Sequence, residues 1–142
     1  MKKIFTLSAL VVLAAVLFTS CRKADVGYST NENYWLSKEA GEVVYVEASC
    51  NYWVVETYYG YNIVSSSSAS KPYEGELVYG NFSSRGTRDM YNYSDRFVFT
   101  GTVTDYWLTY NQAMDALDYY CPLYGNKAPR VFKQATQIPK KQ

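Results

Sequence analysis

Carboxylates, cysteine thiols and a large number of tyrosines are the groups in this 142-residue chain that could do chemistry, because it contains no histidine. Without imidazole, the commonest general base, the Ser-His and Cys-His nucleophile pairs and every imidazole metal site are excluded. Glycoside hydrolysis needs only two acids roughly 5 to 10 Å apart. The pairs on offer are Glu74 with Glu76 on a strand face and Asp115 with Asp118 on a helix face. Both pairs stand where solvated charge is expected. Asp89, Asp95 and Asp105 lack the spacing of a calcium-binding loop, and there is no Gly-rich phosphate loop or Gly-x-Ser-x-Gly elbow. The chain therefore reads as a non-enzyme with no catalytic residue, no metal and no cofactor.

Aromatic side chains are the unusual feature: 16 Tyr, 6 Phe and 3 Trp, or 18% of residues. Tyrosine is favoured where one end of the ring stays wet, as at interfaces. The densest group is Tyr52, Trp53, Tyr58, Tyr59 and Tyr61, in which alternation sets Trp53 and Tyr59 on the face opposite Tyr52 and Tyr58. A second group joins Tyr91 and Tyr93 to Arg85 and Arg88. Exposed Tyr, Trp and Arg anchor protein interfaces, and aromatic faces also stack on sugar rings. Binding candidates are thus Trp53, Tyr58, Tyr59, Tyr61, Arg85, Arg88, Tyr91 and Tyr93. A protein ligand predicts a compact patch on the second group, and a glycan predicts a groove lined by Trp53 and its neighbours. The competing reading is that these tyrosines are strand residues used for cross-strand packing.

The elements that would position these groups follow from periodicity. Glu42 to Ser49 and Tyr52 to Tyr59 are Val-rich with a period of two, and Tyr61 to Val64 adds a short piece after Gly60. Ser65 to Pro72 is an exposed loop, Glu76 to Phe82 a strand, and Ser83 to Asp95 a long loop. Arg96 to Thr104 sets Phe97, Phe99, Gly101 and Val103 on one face, against a Thr-rich face, as in a half-buried antiparallel strand. Tyr110 to Cys121 is the one expected helix, opened by a Thr109–Gln112 capping box, with Tyr110, Ala113, Met114, Leu117, Tyr120 and Cys121 on one stripe. A last strand spans Arg130 to Lys133. The order predicts an α+β domain, a small antiparallel β-sheet packed against one C-terminal helix, with a barrel of the OB type as the specific alternative.

The N-terminus has a charged Met1-Lys2-Lys3, an apolar stretch from Ile4 to Phe18, and Thr19-Ser20-Cys21. At roughly 15 residues the apolar stretch is shorter than the ~20 that a spanning helix needs. Phe18-Thr19-Ser20-Cys21 resembles the lipobox of bacterial lipoprotein precursors, in which a peptidase cuts before a diacylglyceryl cysteine. The resemblance implies that residues 1–20 are removed and that Cys21 carries the lipid anchor. Arg22 after that cysteine, rather than Asp, agrees with the sorting habit of lipoproteins that leave the inner membrane. The whole is similar to small envelope lipoproteins of Bacteroidota, a likeness that implies a lipid-anchored outer-membrane location, on the periplasmic or surface face.

Loss of Lys2 and Lys3 leaves 12 basic against 13 acidic residues, a formal charge of −1. Nucleic acid is therefore not an expected partner. The expected organisation is a lipidated cysteine and tether over residues 21–33, one domain over 34–135, and a basic tail over 136–142. Lys127, Arg130, Lys133, Lys140 and Lys141 make the C-terminal stretch basic; it is read as a solvated terminus, with contact to anionic lipid or cell-wall polymer as the alternative. Export makes Cys50 and Cys121 a disulfide candidate closing a loop of about 70 residues, worth roughly 4 kcal/mol. Two buried free thiols are the other reading. The functional expectation is a non-enzymatic envelope lipoprotein with a Tyr-rich surface for a protein partner, as inhibitor, immunity protein or accessory subunit; the alternative ligand is a glycan.

Overall fold

The computed structural model describes residues 31–123 and 128–138. The expected export segment, Cys21, the expected tether up to Thr30, Lys127, Lys140 and Lys141 lie outside the described residues. Helix α1 spans Glu32–Leu36, followed by strands β1 Glu39–Val46, β2 Tyr52–Thr57 and β3 Gly60–Ser65. A single 3-10 turn, Ser68–Ser70, leads to β4 Leu77–Gly80, β5 Gly86–Asn92, β6 Phe97–Leu108 and helix α2 Tyr110–Tyr120. Among the described residues no helix is long and apolar enough to cross a membrane.

The strands close a barrel in the order β1-β2-β3-β6-β5-β4, with every neighbouring pair antiparallel. It is two three-strand meanders, β1 to β3 and β4 to β6, joined along two seams, β1 with β4 and β3 with β6. The expected sheet with a C-terminal helix is therefore present as a closed barrel, one strand larger than the five-stranded OB type.

Valine runs in β1 to β3 are explained by burial on both faces. Val43, Trp53, Val55, Val64, Val78, Phe82, Met90, Phe99 and Val103 fill the barrel. Their neighbours Val44, Val54 and Ile63 point the other way, under an outer layer of Ala113 and Leu117 of α2, its C-cap Cys121, and Phe132, Ala135 and Ile138 beyond it. The α2 capping box forms as the sequence implies: the Thr109 hydroxyl accepts from the Gln112 N–H, and the Gln112 side chain accepts from the Thr109 N–H. At the far end of the helix Cys121 pairs with Cys50 in a disulfide, Cα to Cα 6.3 Å.

Two expectations about elements are corrected. Ser83 to Asp95 is not one long loop, because Gly86–Asn92 forms β5 between β4 and β6. Its first half lacks an apolar period because polar pairs across the ladder replace hydrophobic ones: Thr87 with Thr102 at 2.7 Å, and Thr100 donating to Asp89 at 2.9 Å. Arg130 to Lys133 is not a strand, since β1 already has a partner on each side and a closed sheet has no edge to receive another. A bulge at Val44 leaves one carbonyl over, and the Lys133 N–H donates to it at 2.8 Å.

Both ends of the described chain pack against the barrel. Trp35 of α1 stacks on Tyr91 of β5, with ring centroids 5.9 Å apart. At the other end, the buried Glu42 carboxylate accepts from the N–H groups of Thr136 and Gln137, both at 2.7 Å, and Ile138 is buried. Arg130 is no solvated tail residue. Its guanidinium is buried and donates to Glu47, to Asp118 and to the carbonyl of Cys121. Burial favours the neutral acid at Glu47, but Arg130 and the Ser49 N–H and hydroxyl outweigh it and hold that carboxyl at about 2 against an ordinary 4.5. Lys133 pairs with Glu74 at 2.8 Å.

Candidate functional site

The end of the barrel where β2 turns into β3 is also where β6 finishes. Tyr58 and Tyr59 form the turn, and Gly60 follows at φ +130°, where an added Cβ would lie 2.7 Å from the carbonyl oxygen of Leu108. Only glycine lets β3 pass that close to β6.

Opposite this turn β6 carries an extra residue, because Tyr61 pairs with Leu108 while Ile63 pairs with Asp105. Trp107 sits in that bulge at φ +58°, in the left-handed region where a bulky side chain is an outlier. Bulges re-aim side chains, and this one turns the indole outward, leaving Trp107 53% exposed. Three restraints hold it there. Its N–H donates to Asn62 Oδ1 at 3.1 Å. The indole Nε1–H donates to Ser83 Oγ at 3.1 Å, and Ser83 passes the bond on to Glu39 at 2.8 Å. The ring packs against Tyr59, centroids 5.6 Å apart, and edge-on against Tyr106.

Asn62 is fully buried and is the centre of this assembly. Its amide nitrogen donates to the Val55 carbonyl, the Thr57 hydroxyl and the Gly60 carbonyl at 3.2 to 3.3 Å, while its oxygen holds Trp107. One side chain thus fixes both the Tyr58–Tyr59 turn and the bulge.

Trp107 divides two hollows. One, of about 450 Å³, is bounded by Arg85, Asp105, Tyr106 and Leu108. The other, of about 350 Å³, is bounded by Tyr58, Tyr59, Tyr61 and Thr109. Arg85 is open to solvent and pairs with Asp105 at 2.5 Å, and Asp105 also accepts from the Tyr120 hydroxyl at 2.7 Å. That hydrogen bond, then burial, raises the Tyr120 phenol and keeps it the donor. Tyr61 is half-buried against Tyr110 and Phe132; burial, then Glu56 and Tyr110, raise its phenol as well.

The eight binding candidates from the sequence are therefore split. Tyr58, Tyr59, Tyr61 and Arg85 come together around Trp107. Trp53 is corrected: it is fully buried inside the barrel, its Nε1–H donating to Ser66 Oγ at 3.2 Å, because both faces of β2 are covered and alternation alone does not say which is interior. Tyr91 is also buried, under Trp35. Tyr93 lies past the opposite end of β5 from Arg85, so the two cannot share a compact patch. Arg88 is spent on the loop before β5, donating to Ser84 Oγ and to the carbonyls of Arg85 and Gly86.

Three members of the acidic pairs hold the fold: Glu74 accepts from the Val46 N–H, Glu76 from the Tyr73 N–H and the Asn92 amide, and Asp118 from Arg130. Trp107 itself escaped the sequence reading, which ended the strand at Thr104. The available signal was Asp105-Tyr106-Trp107-Leu108, a run in which alternation breaks while strand-forming aromatics continue. No protein family, no curated protein and no solved structure matches this chain.

Proposed function

We propose that this chain is a non-enzymatic recognition lipoprotein of the bacterial cell envelope, anchored by lipid on Cys21, which binds its ligand through the Trp107 rim. One observation carries the reading: a half-exposed tryptophan is held at φ +58° by the buried Asn62. A strained backbone of this kind costs about 1 to 3 kcal/mol and persists only where its surroundings over-determine it, and such positions gather at ligand sites. Packing does not account for the arrangement, since the indole fills neither core. Trp, Tyr and Arg are also the side chains that dominate binding energy at recognition surfaces. The Phe18-Thr19-Ser20-Cys21 sequence supports the anchor.

Hydroxyl-radical footprinting of the folded domain, with and without washed envelope of the producing bacterium, tests the surface. Protection of Tyr58, Tyr59 and Trp107 is expected, with Tyr73 and Tyr93 as exposed references away from the rim. Equal protection of all five, or none, rejects it. Separately, Cys21→Ser should move the full chain from the membrane fraction to the soluble one.

A further inference from the structure

We infer that the ligand of this rim is an uncharged glycan of at least two sugar rings lying across Trp107, one ring in each hollow; the inference rests on the recognition reading above. Three features point to it. The first is shape. The aromatic side chains here wall concave spaces of about 450 and 350 Å³, at the lower end of the range of roughly 300 to 1,000 Å³ typical of small-ligand sites. A protein hot spot works the other way, as an aromatic that projects into a partner's pocket.

The second is the chemistry of the ring. Because Ser83 occupies the indole N–H, what Trp107 has left to offer is the π-face. The electron-rich face of an aromatic attracts the weakly positive C–H bonds that line one side of a pyranose. Tyr59, tilted 39° to Trp107 and itself half-exposed, continues the platform into the second hollow.

The third is charge. The polar wall of the larger hollow is the Arg85–Asp105 pair, whose charges cancel within 2.5 Å. It offers N–H donors and carboxylate acceptors side by side without a net field, which suits hydroxyl groups. An anionic or cationic ligand would have to break the pair and leave its other member unmatched. Around the smaller hollow the Tyr58 and Tyr59 hydroxyls are joined by the Glu56 carboxylate, which accepts from the Ala135 N–H and adds an acceptor that disfavours an anionic ligand.

The test is retention of the folded domain by washed envelope that has been treated with protease or with periodate, which cleaves vicinal diols. Retention that survives protease and is lost after periodate is the expected result. It should also fall roughly tenfold in Trp107→Gly, a variant chosen because glycine accepts the left-handed backbone and so keeps the bulge. Retention lost to protease but not to periodate makes the ligand a protein, and retention that survives both makes it a lipid surface; each overturns the glycan while leaving the rim as the recognition face. Glycan-dependent retention that Trp107→Gly leaves unchanged overturns the site. An absence of retention by untreated envelope overturns both the glycan and the recognition reading.

Discussion

Asn62 and Trp107 are joined by a single hydrogen bond of 3.1 Å, from the backbone N–H of Trp107 to the buried Asn62 Oδ1. With it, Asn62 closes the accounts of four backbone or hydroxyl groups at one end of the barrel. Removing that side chain leaves the Trp107 N–H without its partner, at about 1 to 3 kcal/mol for a buried group left unpaired, while the Thr57 hydroxyl and the Gly60 carbonyl keep the bond between them. Asn62→Ala is expected to lower the unfolding free energy by about 3 kcal/mol in urea titrations, and to shift Trp107 emission before global unfolding. A loss below 1 kcal/mol would show that the turn and the bulge hold without it.

Residue 107 offers a test by sign. In an ordinary strand alanine is more stabilising than glycine. At φ +58° an L side chain costs about 1 to 2 kcal/mol. Trp107→Gly is therefore expected to be more stable than Trp107→Ala by about 1 kcal/mol, read as the difference in denaturation midpoints. The reverse order would mean that the left-handed bulge relaxes once the indole is gone.

Stability is expected to fall with acid through Glu47. Its carboxyl sits at about 2 in the folded protein against 4.5 for the free group, so the folded state binds the proton less tightly than the unfolded one. The stabilisation it provides is complete above pH 4.5 and is lost as the pH falls toward 2. Glu47→Gln should flatten this stretch of the pH–stability curve while lowering stability at neutral pH by about 3 kcal/mol, because Arg130 loses its buried carboxylate and keeps only the exposed Asp118. An unchanged acid limb in the variant would assign the effect to other carboxylates.

The disulfide ties the loop after β1 to the end of α2 across 71 residues of sequence. A loop of that length is expected to contribute about 4 kcal/mol by restricting the unfolded chain. Cys50→Ser with Cys121→Ser should show a lower denaturation midpoint of that order and keep the native near-ultraviolet spectrum, since Lys71 still clamps the same loop by donating to the Glu47 and Cys50 carbonyls. A midpoint equal to that of the oxidised protein would refute the stabilising role.

Local signals were legible in the sequence and global ones were not. The Thr109–Gln112 capping box and the α2 stripe depend on residues within a few positions of each other, and they stand as read. The alternation of Phe99, Gly101 and Val103 also gave the interior face of β6, whereas Phe97, read on the same face, is exposed. β5 was missed because its fitness as a strand lies in its partner, Thr100 and Thr102 of β6, and not in its own residues. Trp53 was read as exposed and Trp107 was overlooked for a related reason. Period-two alternation sorts residues into two faces without saying that both are covered, and it cannot carry past a bulge. Of the rim, Tyr58, Tyr59, Tyr61 and Arg85 were in view, whereas the tryptophan that organises them was not. The burial of Arg130 depends on Glu47, 83 positions away, which no local pattern records.

Closure of the barrel limits how any partner can be met. With β1 paired to β4 and β3 to β6, each strand has a neighbour on both flanks, and the part of β5 before Tyr91, which β4 does not reach, leaves just a short ladder that an incoming peptide could extend. Binding by backbone augmentation, which reads main chain and tolerates many sequences, is confined to a short stretch of this kind. What it can recognise is set by the side chains gathered at its open ends, and changing a few of them would change the ligand without touching the scaffold.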